Sequence, residues 1–233
     1  MIRLGIFTDP HYSSQEITCG KRYNSRSLEK IRQAYRYFIA ADCDLIVCLG
    51  DLIDREKNGE TQKLQLESVA QIIRGCRIPS VCLMGNHDAF AFTRDAFYGI
   101  LGPSCRPTDR VLDGKRLLFL DACYFRDGRH YRPGDTDWTD TFYPFEAELR
   151  KTVSASEEDI HVFLHQNLDP HIDARHRLYN ADGVNAILAS HGNVKAVWQG
   201  HYHPGARCEY NGIRYITLPA MCERENAFFV AEI

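Results

Sequence analysis

The sequence predicts an α/β fold built on a parallel β-sheet. Apolar runs typical of buried strands alternate with segments whose apolar residues recur every three or four positions, as in amphipathic helices. An order of strand, helix, strand, helix, strand produces parallel sheets with right-handed crossovers. The chain has 233 residues, enough for one α/β domain with a sizeable core, so we expect residues 1–233 to form a single domain.

The first third of the chain carries this alternation most clearly. The predicted elements are, in order, a strand at residues 2–8, a helix at residues 27–40, a strand at residues 44–49, a helix at residues 60–74 and a strand at residues 78–84. Ser27 suits the N-cap of the first helix, and Gly75 suits the end of the second. We expect Asp9 and His11 to point to the same side of an extended segment, because side chains alternate along a strand.

The rest of the chain is less regular. The predicted elements are a short helix or loop at residues 89–98, a hairpin around Asp113-Gly114, a helix ending near residue 153, strands at residues 160–164 and 194–198, a helix at residues 182–189, a hairpin over residues 206–218 and a closing strand at residues 228–233. Residues 123–145 mix aromatic side chains with arginines. This segment either covers an active site or is a packed excursion of the chain, and we favour a cover or a wall of the substrate site.

Composition narrows the class of protein. The formal net charge of -3 and the pI near 6.4 give no global basic footprint for nucleic acid. The amino terminus enters a strand without a signal peptide, and no apolar stretch approaches the roughly 18 residues of a spanning helix. Nine cysteines without a Cys-x-x-Cys pair indicate reduced thiols, so we expect a cytoplasmic protein. The sequence favours no particular oligomeric state.

Potential metal ligands follow five of the apolar runs. These residues are Asp9 and His11, Asp51, Asn86, His165, and finally His201 with His203. Carboxyl ends of parallel strands are where open α/β sheets place their ligands. Aspartate, asparagine and histidine suit Mn, Fe or Zn. Seven ligands exceed what one ion normally takes from a protein, so two ions that share a bridging carboxylate are the economical prediction.

In this order and spacing, the motifs Asp9-x-His11, Gly50-Asp51, Gly85-Asn86-His87-Asp88, a later His165 and Gly200-His201-x-His203 resemble the calcineurin-like metallophosphoesterase superfamily. The resemblance spans residues 9–203. It implies a four-layer α/β/β/α double β-sandwich with a dinuclear metal centre. The implied activity is metal-dependent hydrolysis of phosphoric esters or anhydrides, in which a hydroxide bridging the two ions attacks phosphorus.

The resemblance also implies roles for individual residues. Asp9, His11 and His203 would hold one ion, Asn86, His165 and His201 would hold the other, and Asp51 would bridge them. His87 would contact the scissile phosphate or protonate the leaving group, and Asp88 would orient His87.

Substrate contacts are less well defined by the sequence. Lys21, Arg22 and Tyr23 lie in a polar segment that is either a solvated loop or a surface that binds a phosphate or stacks on a base. Arg22-Tyr23 with the following helix, together with the closing hairpin, is similar to the branch of manganese-dependent ADP-ribose/CDP-alcohol diphosphatases and related phosphodiesterases. We therefore favour a small, nucleotide-derived phosphodiester or diphosphate. The alternatives are a phosphomonoesterase of the same fold and a catalytically silent protein-binding scaffold.

Several other polar residues have simpler interpretations. We expect His161, inside an apolar run, to be a hydrogen-bonded core residue. Asp54 and Asp121 are expected to be structural or to support the ligands from behind. The remaining histidines lie in polar loops or near a helix end and are expected to be solvated; they are His130, His171, His176 and His191.

Overall fold

Two β-sheets form the centre of the protein in the computed structural model, which describes residues 1–56 and 58–233. The strands are β1 (Arg3–Phe7), β2 (Leu45–Cys48), β3 (Ser80–Cys82), β4 (Arg110–Leu112), β5 (Lys115–Phe119), β6 (Asp159–Phe163), β7 (Val194–Gln199), β8 (Ala206–Tyr210), β9 (Ile213–Thr217) and β10 (Phe228–Glu232). The helices are α1 (Ser27–Ala40), α2 (Gly59–Arg74), α3 (Asn86–Ala91), α4 (Arg94–Leu101), α5 (Glu146–Ala155) and α6 (Ala181–Ala189).

The first sheet has the order β10-β1-β2-β3, and the second has the order β4-β5-β6-β7-β9-β8. Strands β1, β2 and β3 run parallel, as the sequence predicts, and β10 pairs antiparallel with β1. In the second sheet β5, β6, β7 and β9 are parallel, while hairpins add β4 and β8 at its edges. The carboxyl ends of the parallel strands therefore share one edge in each sheet.

Three apolar clusters define four layers. One joins the inner faces of the two sheets and includes Leu4, Val47 and Phe163. A second lies between the first sheet and helices α1 to α4, and the third lies between the second sheet and helices α5 and α6. Side chains of each strand alternate between the two faces, so both faces are buried. The predicted α/β/β/α double sandwich is confirmed.

Some local predictions are wrong in instructive ways. Ser27 is the first residue of α1 rather than its N-cap, because a 3-10 turn at Asn24–Arg26 leads directly into the helix. The predicted short helix or loop at residues 89–98 is two helices, α3 and α4. Helix α3 begins at Asn86 itself, since the Asp88 carboxylate accepts the backbone N–H of Gly85 and closes the first turn.

All nine cysteines are free, and most of them are buried. In the described part of the chain, no helix has the length and apolar composition needed to cross a membrane.

His161 is buried in β6, as the sequence predicts, at 3 % exposure. Its Nδ1 lies 3.5 Å from Nε1 of Trp198, which can donate only to an unprotonated nitrogen. Burial, with help from the nearby charges of Arg214 and Lys115, lowers the pKa of His161 to about 4. The folded protein therefore holds this imidazole neutral.

This lowered pKa predicts an acid-sensitive contribution to stability. The unfolded chain takes up a proton at His161 below its ordinary pKa of 6.5, whereas the folded chain does so only near 4. Stability is thus intact above pH 6.5 and falls by about 2 kcal/mol as the pH drops from 6.5 to 4. Denaturant unfolding of His161→Leu should lack this share of the pH dependence, whereas exposed His191→Gln should keep it. An unchanged pH profile in His161→Leu would contradict the assignment.

Candidate metal centre and active site

The five sets of sequence-predicted ligands meet where the two sheets face each other. Asp9 and His11 follow β1, Asp51 follows β2, and Asn86 opens α3 just after β3. From the second sheet, His165 follows β6, and the pair His201 and His203 follows β7. All of these side chains are buried or nearly so, and they lie close together at this edge of the sheets.

Four of these residues adopt a left-handed backbone. The φ angles are 51° at Asp9, 44° at His11, 53° at Asp51 and 63° at His201. Non-glycine residues are uncommon there, and such strain is concentrated at functional sites. The expectation that Asp9 and His11 share one side of an extended segment is therefore wrong. The chain curls at the end of the strand, and this curl turns both side chains into the cleft.

Two glycines allow the strand ends to approach each other. A Cβ atom at Gly85 would lie 2.1 Å from Oδ1 of Asp51. One at Gly200 would lie 2.1 Å from Oγ1 of Thr8 and 2.7 Å from Oδ2 of Asp9. Since carbon cannot approach oxygen so closely, only glycine fits at these positions. The glycines of the sequence motifs are thus needed for close packing around the two aspartates.

Asp51 lies between two groups of ligands. Its Oδ2 is 3.5 Å from Nε2 of His11 on one side and 3.4 Å from Nε2 of His165 on the other. Its Oδ1 accepts the backbone N–H of His87 at 2.8 Å, which leaves Oδ2 free to face both groups. Burial raises the pKa of Asp51, but the neighbouring histidines outweigh this effect, so the pKa lies below its ordinary value.

The first group surrounds Oδ1 of Asp9. Nε2 of His11 lies 3.5 Å from this oxygen, Nε2 of His203 lies 3.3 Å from it, and the two nitrogens are 3.2 Å apart. Ligands about 2.1 Å from a shared metal ion are separated by similar distances. The other oxygen of Asp9 accepts bonds from Thr8 and from the backbone of His201.

The second group contains Asn86, His165 and His201 beside Asp51. Oδ1 of Asn86 is 3.3 Å from Nε2 of His165, and the His165 and His201 rings are 5.1 Å apart at their centroids. Nδ1 of His165 lies 3.0 Å from the carbonyl of Leu49. A proton on Nδ1 donates to that carbonyl and leaves the Nε2 lone pair directed into the site.

Among the described residues, the buried polar atoms of these groups that lack a hydrogen-bond partner include Oδ1 of Asp9 and Nε2 of His201. Leaving such atoms unsatisfied is costly, and a cation would satisfy both. The donor set of carboxylates, one amide oxygen and imidazoles suits divalent transition metals. The residues present therefore fit two ions, with Asp51 shared between them.

His87 contacts a different aspartate from the one that the sequence predicts. Its Nδ1 lies 2.7 Å from Oδ1 of Asp54. Asp88 instead accepts the backbone N–H groups of Leu52, Ile53 and Gly85. The expectation that Asp88 orients His87 is wrong, because the helical turn that begins at Asn86 directs Asp88 back toward the β2 loop.

Asp54 supports the site from behind, as the sequence analysis allows, but its contact with His87 is not predicted. Its Oδ1 also lies 3.6 Å from Nδ1 of His11, and its Oδ2 accepts bonds from Thr18 and Asn24 at 2.8 Å each. It thus faces both histidines from behind. The only sequence signal is its place three residues after Asp51, in Gly50-Asp51-Leu52-Ile53-Asp54. Burial is the largest influence on His87 and lowers its pKa below the ordinary value, although the charges of Asp51 and Asp54 act in the opposite direction.

A cavity of about 450 Å³ opens in front of these residues. Its lining brings together ligands and residues from irregular segments, namely Cys19, Lys21, Arg22, Asp51, Asn86, His87, Trp138, His176, His201, Tyr202, His203, Pro204 and Glu223. Lys21 and Arg22 thus reach the site. Tyr23 is not part of this lining, and the Arg26 guanidinium lies 5.3 Å from the centre of its ring.

The segment at residues 123–145 contributes one side chain to the cavity. Trp138 lines it, with its ring 5.3 Å from both His201 and His176. Tyr131 is instead part of the core, and Arg132 lines a separate surface depression. The segment is therefore mainly a packed excursion that supplies one wall of the site.

The other histidines divide into three cases. His171 and His191 are exposed, as expected. His176 is not simply solvated, because it lines the cavity beside His201. His130 is also wrongly predicted, since its Nε2 lies 3.2 Å from Oδ2 of Asp121, whose role is structural.

Comparison with known proteins agrees with this geometry. Residues 2–205 match the family described as calcineurin-like phosphoesterase. The chain belongs to this family. It is a metal-dependent phosphoesterase, and the family uses two divalent metal ions, for which the buried aspartates and histidines provide ligands.

Relatives of this calcineurin-like phosphoesterase include named enzymes. It is 38% identical to the 3',5'-cyclic adenosine monophosphate phosphodiesterase CpdA of Haemophilus influenzae, over 95% of this chain and 77% of the relative. The CpdA of Escherichia coli strain K12 is 28% identical over 95% and 76% of the two chains. The crystal structure of a dimetal phosphatase from Danio rerio superposes with a TM-score of 0.83 at 20% identity, covering 100% of this chain and 92% of the other, and shows the same fold.

The contacts of the two aspartates predict different outcomes on mutation. Asp54→Asn should lower kcat of the folded protein about 10–100-fold, because the charge behind His87 and His11 is lost. Asp88→Asn should mainly destabilise the fold by about 1–3 kcal/mol, since both carboxylate oxygens accept backbone N–H groups and an amide would oppose one of them with its own donors. Thermal melts and steady-state kinetics separate the two. If Asp88→Asn is inactive but fully stable, and Asp54→Asn has normal activity, the sequence-based assignment that Asp88 orients His87 would be restored.

Proposed function

We propose that this phosphoesterase hydrolyses small, nucleotide-derived phosphodiesters in a cytoplasmic compartment, with manganese as its metal and residues 1–233 acting as one domain. The observation that carries the proposal is the position of Asp51, with one carboxylate oxygen facing two separate groups of ligands. The diester preference is supported by the relatives named as cyclic-nucleotide phosphodiesterases. The free cysteines support the compartment.

In this proposal each ligand keeps the role that the sequence motifs suggest. Asp9, His11 and His203 would hold one ion, Asn86, His165 and His201 would hold the other, and Asp51 would be shared between them. Bound metal would supply Lewis-acid activation of water and neutralise charge on the phosphate oxygens. Asp9 is held for this task by Thr8 and by the backbone of His201.

Arg22 is the proposed phosphate-binding cation of the cavity. Its side chain is 19% exposed, and one of its terminal nitrogens lies 3.7 Å from Oδ1 of Asp54. Burial opposes its charge, but the Asp54 carboxylate and other nearby groups raise its pKa, so the guanidinium stays charged. A planar guanidinium presents paired donors that match phosphate oxygens.

His87 is the proposed proton donor to the leaving oxygen. Its ring lines the cavity, and the Asp54 carboxylate beside Nδ1 partly offsets the burial that lowers the pKa of His87. The backbone N–H of His87 donates to Asp51, which holds the main chain of His87 next to the ligand groups. Asp88 supports this turn through its backbone contacts rather than through His87 itself.

The test of the proposed function is hydrolysis of bis-nitrophenyl phosphate and 3',5'-cyclic AMP by protein loaded with Mn. We expect chelator-sensitive cleavage of both diesters, and turnover at background in Asp51→Asn with an unchanged circular dichroism spectrum. Nitrophenyl phosphate serves as the monoester comparison, and faster cleavage of it would indicate a phosphomonoesterase. Cleavage of neither ester by a protein that holds two metals would contradict the proposal and favour a scaffold.

Trp138 and Arg132 give a matched pair of variants within residues 123–145. Trp138 lines the catalytic cavity, whereas Arg132 lines a different depression. An indole face can stack on a nucleobase with about 1–3 kcal/mol per base. Trp138→Ala should therefore raise KM for cyclic AMP about tenfold with less effect on bis-nitrophenyl phosphate, and Arg132→Ala should change neither. Equal kinetics of Trp138→Ala and wild type would make the tryptophan purely structural.

A further inference from the structure

Glu223 lies at the edge of the cavity and holds two partners at once. Its Oε1 is 2.5 Å from Nδ1 of His203, and its Oε2 is 3.2 Å from Nζ of Lys21. Its side chain is 14% exposed, so the carboxylate is largely shielded from water. No sequence motif marks this residue, which follows Met221-Cys222 in the connection after β9.

The two nitrogens of His203 face different groups. Nδ1 faces Glu223, while Nε2 lies 3.3 Å from Oδ1 of Asp9 and 3.2 Å from Nε2 of His11. If Nδ1 carries the proton and donates it to Glu223, Nε2 presents a lone pair to the first group of ligands. A carboxylate behind a histidine fixes its tautomer and ring orientation and makes it a more basic ligand.

The backbone around Glu223 is attached to the same strand ends that carry the ligands. The N–H of Ala220 donates to the carbonyl of His203, that of Met221 to Thr8, and that of Cys222 to Asp9, each at 3.0 or 3.1 Å. Glu223 therefore follows three consecutive residues whose positions relative to Asp9 and His203 are set by main-chain bonds. These bonds hold the backbone that carries Glu223 close to His203.

A parallel with Asp54 indicates what the second partner does. Asp54 faces His11 and His87 and also lies 3.7 Å from Arg22, while Glu223 faces His203 and also contacts Lys21. Lys21 and Arg22 are neighbours in the turn over residues 18–24, which Thr18 and Asn24 join to Asp54. Each carboxylate thus connects one cation at the cavity to one or two histidines of the site.

We propose that Glu223 is a positioning residue, which holds the ring and tautomer of His203 for metal binding and keeps Lys21 at the mouth of the cavity. The inference rests on the proposed function, because it assigns Glu223 to the ion held by Asp9, His11 and His203. It separates two effects: the contact with His203 governs metal affinity, and the contact with Lys21 governs the approach of the substrate.

The test is a calorimetric titration of metal-free protein with Mn. Diester hydrolysis is measured in parallel. In Glu223→Gln one of the two binding steps should weaken about 10–100-fold while the other is unchanged. Saturating Mn should then recover most of kcat. Lys21→Met should leave both binding steps as in wild type and raise KM. Glu209→Gln, an exposed carboxylate on β8, is the matched control and should change nothing.

Three results would overturn the inference. If Glu223→Gln binds Mn at both steps as tightly as wild type does, the carboxylate has no role in metal binding. This would hold even if hydrolysis by the wild-type protein supported the proposed function. If Lys21→Met weakens Mn binding as much as Glu223→Gln does, the effect belongs to the salt bridge between Lys21 and Glu223 instead. If Glu223→Gln has a lowered Tm, Glu223→Asp, which keeps the charge, is measured as well. A Mn affinity of Glu223→Asp no higher than that of Glu223→Gln would contradict the role of the carboxylate. Failure of wild type to bind Mn would instead refute the proposed function.

Discussion

The site depends on the burial of two carboxylates, Asp9 and Asp51, among imidazole rings. Such burial is unfavourable unless each charge finds partners. The fold supplies part of this compensation through Thr8 and through the backbone N–H groups of His201 and His87. Among the described residues it leaves Oδ1 of Asp9 and Nε2 of His201 unsatisfied. Metal binding would complete the compensation, so the same interaction that prepares the site for catalysis would also stabilise the ends of five strands.

The strained backbone of the site has its counterpart in the regular core behind it. Left-handed conformations at Asp9, His11, Asp51 and His201 cost energy that surrounding structure has to balance. Each of these residues immediately follows a strand or lies within a few residues of one, where ladder bonds and the apolar cluster between the sheets fix the chain. The close approach at Gly85 and Gly200 adds to this constraint, because neighbouring strand ends cannot move apart without losing their contacts.

The sequence can group the seven candidate ligands because a parallel sheet brings the residues at its strand ends together in space. Every strand that ends in a polar motif brings its last residues to one edge, so no side-chain detail is needed to group the seven ligands. Prediction fails where the outcome depends on turns of a few residues. Asp54 and Asp88 each lie within a few residues of a sequence motif. The direction of the helical turn that begins at Asn86 decides which of them contacts His87. The positions of His176 and Trp138 in the cavity are not predicted for a related reason. Irregular segments have no periodicity that indicates where their side chains point.

This division separates the two tasks of the site. Strand ends supply the ligands, which have to keep distances within a few tenths of an ångström, and the double sandwich fixes them. Residues that would select the substrate, such as Arg22, Trp138 and His176, come from segments packed on that frame and can change without disturbing it. Asp54 and Glu223 are exceptions, because each touches both a site histidine and a cation at the cavity. A substrate phosphate that draws Arg22 or Lys21 toward itself would therefore act on the carboxylates behind the histidines, which couples substrate binding to the metal centre through two short contacts.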